Sequence, residues 1–338
     1  MIAMKRGVLI SFDVECSMGG AWQDAALRPV PPSRAMMGEF GRKKLGLPLI
    51  VDILADSGLA GTFFVEAFTE EQGFTGLTEP ICQYLLDRGQ DVQLHVHPNH
   101  FHYAMHLRGE EHPDTDQLYE LPPDAQIALL TEGRDRIARW TGRPAVAFRS
   151  GNCGSDEKTL AQLAAAGIRI DSSYTPAFAG GQCGFRPAEP YNGSKWYGDV
   201  LEVALSGFYQ PRVPALHPIK PLDLVGISFE ECRDAVAATA AAGADSVVIL
   251  HSFSLFKVRD VQYNGGRPNR VVIRRLRRFC RWLADSAADV PVYTFAELAE
   301  AVEAGRYEAR AVPPCRLGSP LRAVTRKVVQ AVNNLYWT

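Results

Sequence analysis

The chain reads as an α/β fold, a (β/α) barrel that is closed or incomplete, and three observations predict it. Short β-rich apolar runs alternate with windows of helical period, the pattern of βα units around a largely parallel sheet. About seven or eight such runs occur, enough to curl a sheet into a barrel rather than leave it open. Four of the runs end in a polar side chain able to bind metal, move a proton or hold an anion. Ligand sites of α/β domains form at that end of the strands.

In chain order, strands are predicted over residues 7–13, 61–66, 91–95, 145–149, 168–171, 200–204, 246–251 and 290–294. Helical windows fall at 48–57, 80–88, 124–141, 155–166, 229–242 and 270–286. Ser155 before Glu157, and Pro123-Asp124 before an apolar-periodic run, serve as helix starts. Three stretches read as irregular. Residues 16–44 are rich in Gly, Pro and Arg, residues 98–123 in His, Asp, Glu and Pro, and residues 174–199 in Gly, Pro and aromatics. Loops of that length inside a compact domain are commonly functional, and the first two begin at motif residues, so they are expected to wall a substrate groove.

The bulk numbers exclude several classes. With 338 residues and 46% hydrophobic content the chain can bury a sizeable core. A net charge of −2 gives no global field for nucleic acid. The seven cysteines are scattered, odd in number and free of any C-x-x-C pair, which argues against a disulfide framework and for a reducing compartment. The N-terminus shows no apolar signal region, and no apolar run reaches the roughly 20 residues of a membrane span. A cytoplasmic location is therefore expected.

The motif residues point to hydrolytic chemistry. Asp13 and Glu15 are two apart, a spacing that puts both on one face of a strand. His95 and His97 repeat the relation. One carboxylate with two imidazoles and open positions is a catalytic arrangement for Zn²⁺ or a similar divalent ion, which polarises a carbonyl and lowers the pKa of bound water. Glu15, His95 and His97 are the expected ligands. Asp13 is then the base, His251 the acid for the leaving amine, and Arg149 the charge-assisted partner of Asp13. Asn152, Tyr174 and Trp196 are candidate substrate contacts. Phe178, Phe185, Tyr191, Trp196 and Tyr197 either stack on sugar rings or pin their loop to the core. His102, His106 and His112 read as a solvated loop, with a second metal site as the alternative.

The order and form of these segments resemble the polysaccharide deacetylases, carbohydrate esterase family 4, from Gly7 to Ala304. The resemblance implies a distorted barrel of about seven strands and a divalent metal used to remove N-acetyl groups from amino sugars. Zn²⁺ is the first choice of ion, with Co²⁺, Ni²⁺, Mn²⁺ and Fe²⁺ as others. The family's first motif is T-F-D-D-G, and Asp13 matches its base. Its second is H-[ST]-x-x-H, and His95 matches the first histidine. Its third is R-x-P-x-G, and Arg149 matches the arginine. Its late Leu-x-His acid is matched by His251. Gly167 to Ser173 resembles the family's G-[FI]-x-x-D-S-S strand, giving Asp171 a structural role or a hold on the late histidine. Three departures mark an atypical branch. Val14 replaces the metal-binding Asp, with Glu15 as its substitute. Asn99 stands where the second His would fall, so His97 takes that role and His100 is the reserve. Gly151 replaces the groove proline.

The implied organisation is a catalytic domain over residues 1–305 and a basic tail over 306–338, with six basic residues and one acidic. In the tail Leu321, Val324, Val328, Val332 and Leu335 share a helical face, near Arg322, Arg326 and Lys327 and ending in Tyr336 and Trp337. Such a helix can pack on the barrel, dimerise, or lie on an anionic membrane surface, which would make the protein peripheral on the inner face. The basic window at 270–286 is a second candidate phosphate or lipid contact. The expected substrate is an N-acetylated amino sugar of cell-surface polysaccharide or glycolipid synthesis, lipid- or nucleotide-linked. Alternative readings are a hydrolase of a small cyclic amide or ureide and a catalytically silent carbohydrate binder.

Overall fold

The computed structural model describes residues 4–211 and 218–334. Among these, Val8–Val14 (β1), Thr62–Glu66 (β2), Asp91–Val96 (β3), Ala147–Ser150 (β4), Ile170–Asp171 (β5), Asn192–Tyr197 (β6), Val200–Val203 (β7), Ser246–His251 (β8) and Ala311–Val312 (β9) form one sheet, in the order β8-β1-β2-β3-β4-β5-β7-β6-β9. Every residue of β1 to β4 is buried, as near-continuous apolar runs demand when both faces of a strand are covered. Seven strands, β8 through β7 in that order, pair in parallel. Beyond β7 the chain curls back to β8 through single bridges, Leu205 to Val247 and Asp223 to Ile249. The result is a distorted, incompletely sealed barrel of seven parallel strands, extended at one edge by antiparallel β6 and β9.

Besides a single turn at Pro32–Ala35, the α-helices among the described residues are Leu47–Ala55 (α1), Glu79–Leu86 (α2), Pro98–Arg108 (α3), Pro123–Thr141 (α4), Thr159–Ala165 (α5), Phe229–Ala241 (α6), Arg270–Asp285 (α7), Phe295–Glu303 (α8) and Pro320–Asn333 (α9). Six of them answer the predicted windows. α5 starts later than Ser155 suggests, because Asp156 accepts from the Lys158 and Thr159 N–H groups and holds the preceding turn.

Three expectations are corrected. The run at 290–294 is no strand and keeps only a bridge from Val292 to Val8. Its last residue, Thr294, instead caps α8 in a reciprocal pair with Glu297. Residues 98–123 contain α3, which begins on Pro98 and stops at left-handed Gly109 (φ 66°). That is the usual start-proline, stop-glycine asymmetry of a helix. Residues 174–199 contain β6, turned back on β7 through Gly198-Asp199, a two-residue hairpin signal.

Asp171 takes the structural role. It is the register partner of Glu202, both are fully buried, and burial pushes both carboxyls up, Glu202 well above its usual range. Asp171 accepts from Ser173 Oγ at 2.5 Å and does not hold His251.

Candidate metal centre and acid–base pair

The parallel register places the chemistry. Asp13 on β1 lies beside His251 on β8, and His95 on β3 lies beside Arg149 on β4. Glu15 follows β1 by one residue, and its Oε2 meets His95 Nε2 at 3.1 Å and His97 Nε2 at 2.6 Å. The donor atoms of Glu15, His95 and His97 all lie within 4.8 Å of one another, the one such metal-type group among the described residues.

The other nitrogens identify what this arrangement needs. His95 Nδ1 is 2.8 Å from the Arg149 carbonyl, which can only accept, so Nδ1 carries the proton. His97 Nδ1 is 2.8 Å from Asp116 Oδ2, also an acceptor. With neutral imidazoles both Nε2 lone pairs face a carboxylate oxygen, and three acceptors converging on one point form a set that could hold a cation. A hydrogen-bonded second nitrogen is the usual companion of a metal-ligating histidine. The charges agree. Burial would depress the His97 imidazole, but Asp116 and Glu15 hold it well above the usual range. Burial would raise Glu15, but His97 and His95 hold it well below the carboxylate range. His100, the reserve ligand, is outside the group. It stacks behind His97 at 4.6 Å between ring centroids, with Nδ1 toward Glu66.

The acid–base pair adjoins this centre. Arg149 is buried and spends its guanidinium on Asp13 Oδ1 (2.6 Å), Ser11 Oγ (2.9 Å) and the Ser172 carbonyl (3.0 Å), with Phe64 beneath it at 4.1 Å. Asp13 Oδ2 is left toward His251 Nε2, 3.9 Å away. His251 stacks on Phe253 and is about one-third exposed at the cleft. Asp223 also lines that cleft, its carboxyl raised by burial and drawn back down by the nearby imidazole.

The substrate contacts divide. Asn152 lines the ≈ 200 Å³ cleft over the centre, and its amide donates to Asp116. Tyr174 does not line it. It is fully buried, stacked on Tyr191 at 4.4 Å, because its ring completes an aromatic core cluster with Phe185. Trp196 does not line it either. It sits in the second half of β6, beyond the two residues that β9 pairs with, where Lys195 and Trp196 are both exposed. Of the five loop aromatics only Phe178 reaches the cleft. Asp116 and Glu66 escaped the sequence reading. Asp116 lies in a stretch with no periodicity, while Glu66 ends a β-run as the motif residues do, and it accepts from the His97 N–H at 2.9 Å.

Gly151 explains one departure from the family motif. A Cβ there would lie 2.4 Å from the His97 ring. A residue with a side chain at position 151 cannot coexist with the His97 ring where it lies. Gly151→Ala is expected to displace His97 and weaken metal binding by roughly 10–100-fold, the usual cost of disturbing a ligand's support. Competition titration against a chelator checks it, and unchanged affinity would separate Gly151 from the site.

No protein-family model matches the chain, and no curated protein matches it by sequence. Solved structures do. A Mycobacterium smegmatis protein assigned as a polysaccharide deacetylase aligns over 94% of this chain and 99% of its own, at 18% identity and a TM-score of 0.55. Two others align at scores too low to support an argument. They are the Bacillus subtilis peptidoglycan deacetylase PdaC (TM-score 0.41, 13% identity, 89% of this chain and 93% of that one) and a family 4 carbohydrate esterase of Streptomyces lividans (0.42, 12%, 86% and 93%). With seven parallel strands, an open seam and this match along nearly its whole length, the chain has the fold of a polysaccharide deacetylase.

Proposed function

We propose that the protein is a metal-dependent amide hydrolase that removes the N-acetyl group from an amino sugar. The observation that carries this reading is the convergence of three acceptor atoms, from Glu15, His95 and His97, next to a buried carboxylate and an imidazole about one-third exposed. A divalent ion held by those three residues supplies Lewis acidity for the acetyl carbonyl and acidifies water. Asp13 Oδ2 accepts the proton of the attacking water. Arg149 occupies the other oxygen and so fixes which one is available. His251 donates a proton to the departing sugar amine as the C–N bond breaks, and acetate and the free amine are the products. Zn²⁺ suits two imidazoles and one carboxylate.

An open cleft favours a sugar over a small cyclic amide. His251 and Asp223 line both the cleft above the centre and an adjoining cavity of ≈ 550 Å³. A catalytically silent binder would need none of Asp13, Arg149 and His251 in contact range. All seven cysteines are unpaired, which supports a reducing, cytoplasmic setting. Cell-surface polysaccharide or glycolipid precursors, lipid- or nucleotide-linked, are the proposed substrates.

The expected result is one divalent ion per chain by elemental analysis, lost in His95→Ala, together with acetate release from N-acetylated sugars that stops on chelation and returns with Zn²⁺. Stoichiometric metal with no acetate from any amino sugar, but turnover of a cyclic ureide, would move the reading to the alternative.

A further inference from the structure

Helix α9 is docked the wrong way round for a soluble protein. Its buried stripe is polar. Arg326 is buried and paired with Glu231 at 2.7 Å and Gln210 at 2.6 Å, Gln330 donates to the Val225 carbonyl at 3.2 Å, and Asn333 donates to Asn269 Oδ1 at 3.2 Å. Its apolar stripe faces outward, with Leu321 76%, Val324 52%, Val328 57% and Val332 63% exposed. A surface helix normally buries the apolar side, and a contiguous exposed apolar face marks a contact site. The specific bonds on the other side fix this orientation.

We propose that this face of α9 seats on an anionic lipid surface. Charge selects that occupant. Lys327 lies on one flank of the apolar stripe and Arg322, paired with Asp234 at 2.6 Å, on the other at 100° per residue, and the stretch from Ala309 to Asn334 contains no acidic residue. Beside the stripe runs a groove of ≈ 670 Å³ with Val328, Val329 and Val332 on one wall and Lys43, Arg267 and Arg270 on the other. Apolar side chains edged by Lys and Arg are the make-up of an interfacial helix, which lies in the headgroup layer and is strengthened by anionic lipid. A second copy of the chain would bring the same cations against themselves. Among the described residues no helix is long and apolar enough to span a bilayer.

The docked side of α9 also reaches the catalytic end of the fold. Gln330, Asn333 and Asn334 line one end of the cavity whose other end holds His251 and Asp223. If the amide-hydrolase reading holds, a lipid surface on α9 lies at the mouth of the site, and the substrate class is an amino sugar carried on an amphiphilic lipid.

The test is flotation of the full chain with vesicles of phosphatidylcholine alone or mixed with phosphatidylglycerol. Wild type is expected to float with the mixed vesicles only and to be released by high salt. Val324→Ser/Val328→Ser/Val332→Ser, which leaves Arg326, Gln330 and Asn333 in place, is expected to lose roughly tenfold or more of that binding. It should keep its melting temperature and its bound metal. Lys327→Glu should weaken binding without touching the docked side. Failure of wild type to float, equal binding to neutral vesicles, or a triple variant that floats like wild type overturns the proposal. So does a dimer in light scattering that the triple variant abolishes while vesicle binding is absent. The readout uses no substrate, so it stands or falls separately from the hydrolase reading.

Discussion

Asp13→Asn is expected to retain the metal and lose turnover by roughly 10²–10⁴-fold, the range for a positioned acid or base. The side chain is nearly isosteric, and asparagine can still accept from Arg149 at the position of Oδ1. What disappears is the proton acceptor at Oδ2, the oxygen not engaged by Arg149. Metal content and single-turnover acetate release, measured on one preparation, separate the two effects. A variant that turns over near the wild-type rate would remove Asp13 from the chemistry. His251→Asn gives the complementary result if the imidazole is the acid, with the larger loss for substrates whose amine is the poorer leaving group.

Arg149→Met is expected to be the most damaging single change to stability, about 3–5 kcal/mol, because it strands a buried carboxylate. Arg149 and Asp13 are 1% and 6% exposed at the side chain, so water cannot replace the lost partner. The same change frees Ser11 Oγ and the Ser172 carbonyl, which Arg149 ties to β1 from the far side of the barrel. Activity should fall with stability, since Asp13 would no longer be aimed. Arg149→Lys keeps the charge but not the fork, and should recover part of the stability and little of the rate. Urea unfolding of both variants checks it. A loss below about 1 kcal/mol for Arg149→Met, the range of an exposed pair, would mean that Asp13 is solvated in the native state.

Sequence reading located the sheet because its strands are buried on both faces, and such strands are written as unbroken apolar runs. Val8 to Val14 and Thr62 to Glu66 could hardly be mistaken. It missed β6, which opens on Asn192-Gly193-Ser194-Lys195 rather than an apolar run, and α3, whose apolar period is nearly absent. Both carried local signals in a Gly-Asp turn and in the Pro98 and Gly109 boundaries. The site followed the same division. Residues at strand ends inherit their position from the strand, so Asp13, Glu15, His95, Arg149 and His251 could be grouped from sequence alone. Asp116 could not, since it reaches His97 from a loop with no period.

By itself the sequence determined the α/β class, the largely parallel sheet and the polar residues that gather at the strand ends. The alternation of apolar runs and helical windows permits few other folds, and a period of two sets which side chains share a face. Only the tertiary structure decided the rest. It seated Tyr174 in the core and Trp196 on the outer edge, put His97 rather than His100 beside Glu15, and turned the apolar side of α9 outward. Each of those outcomes depends on contacts between segments far apart in the chain. The buried Arg326–Glu231 pair that orients α9 joins residues 95 positions apart, and no local pattern encodes such a meeting.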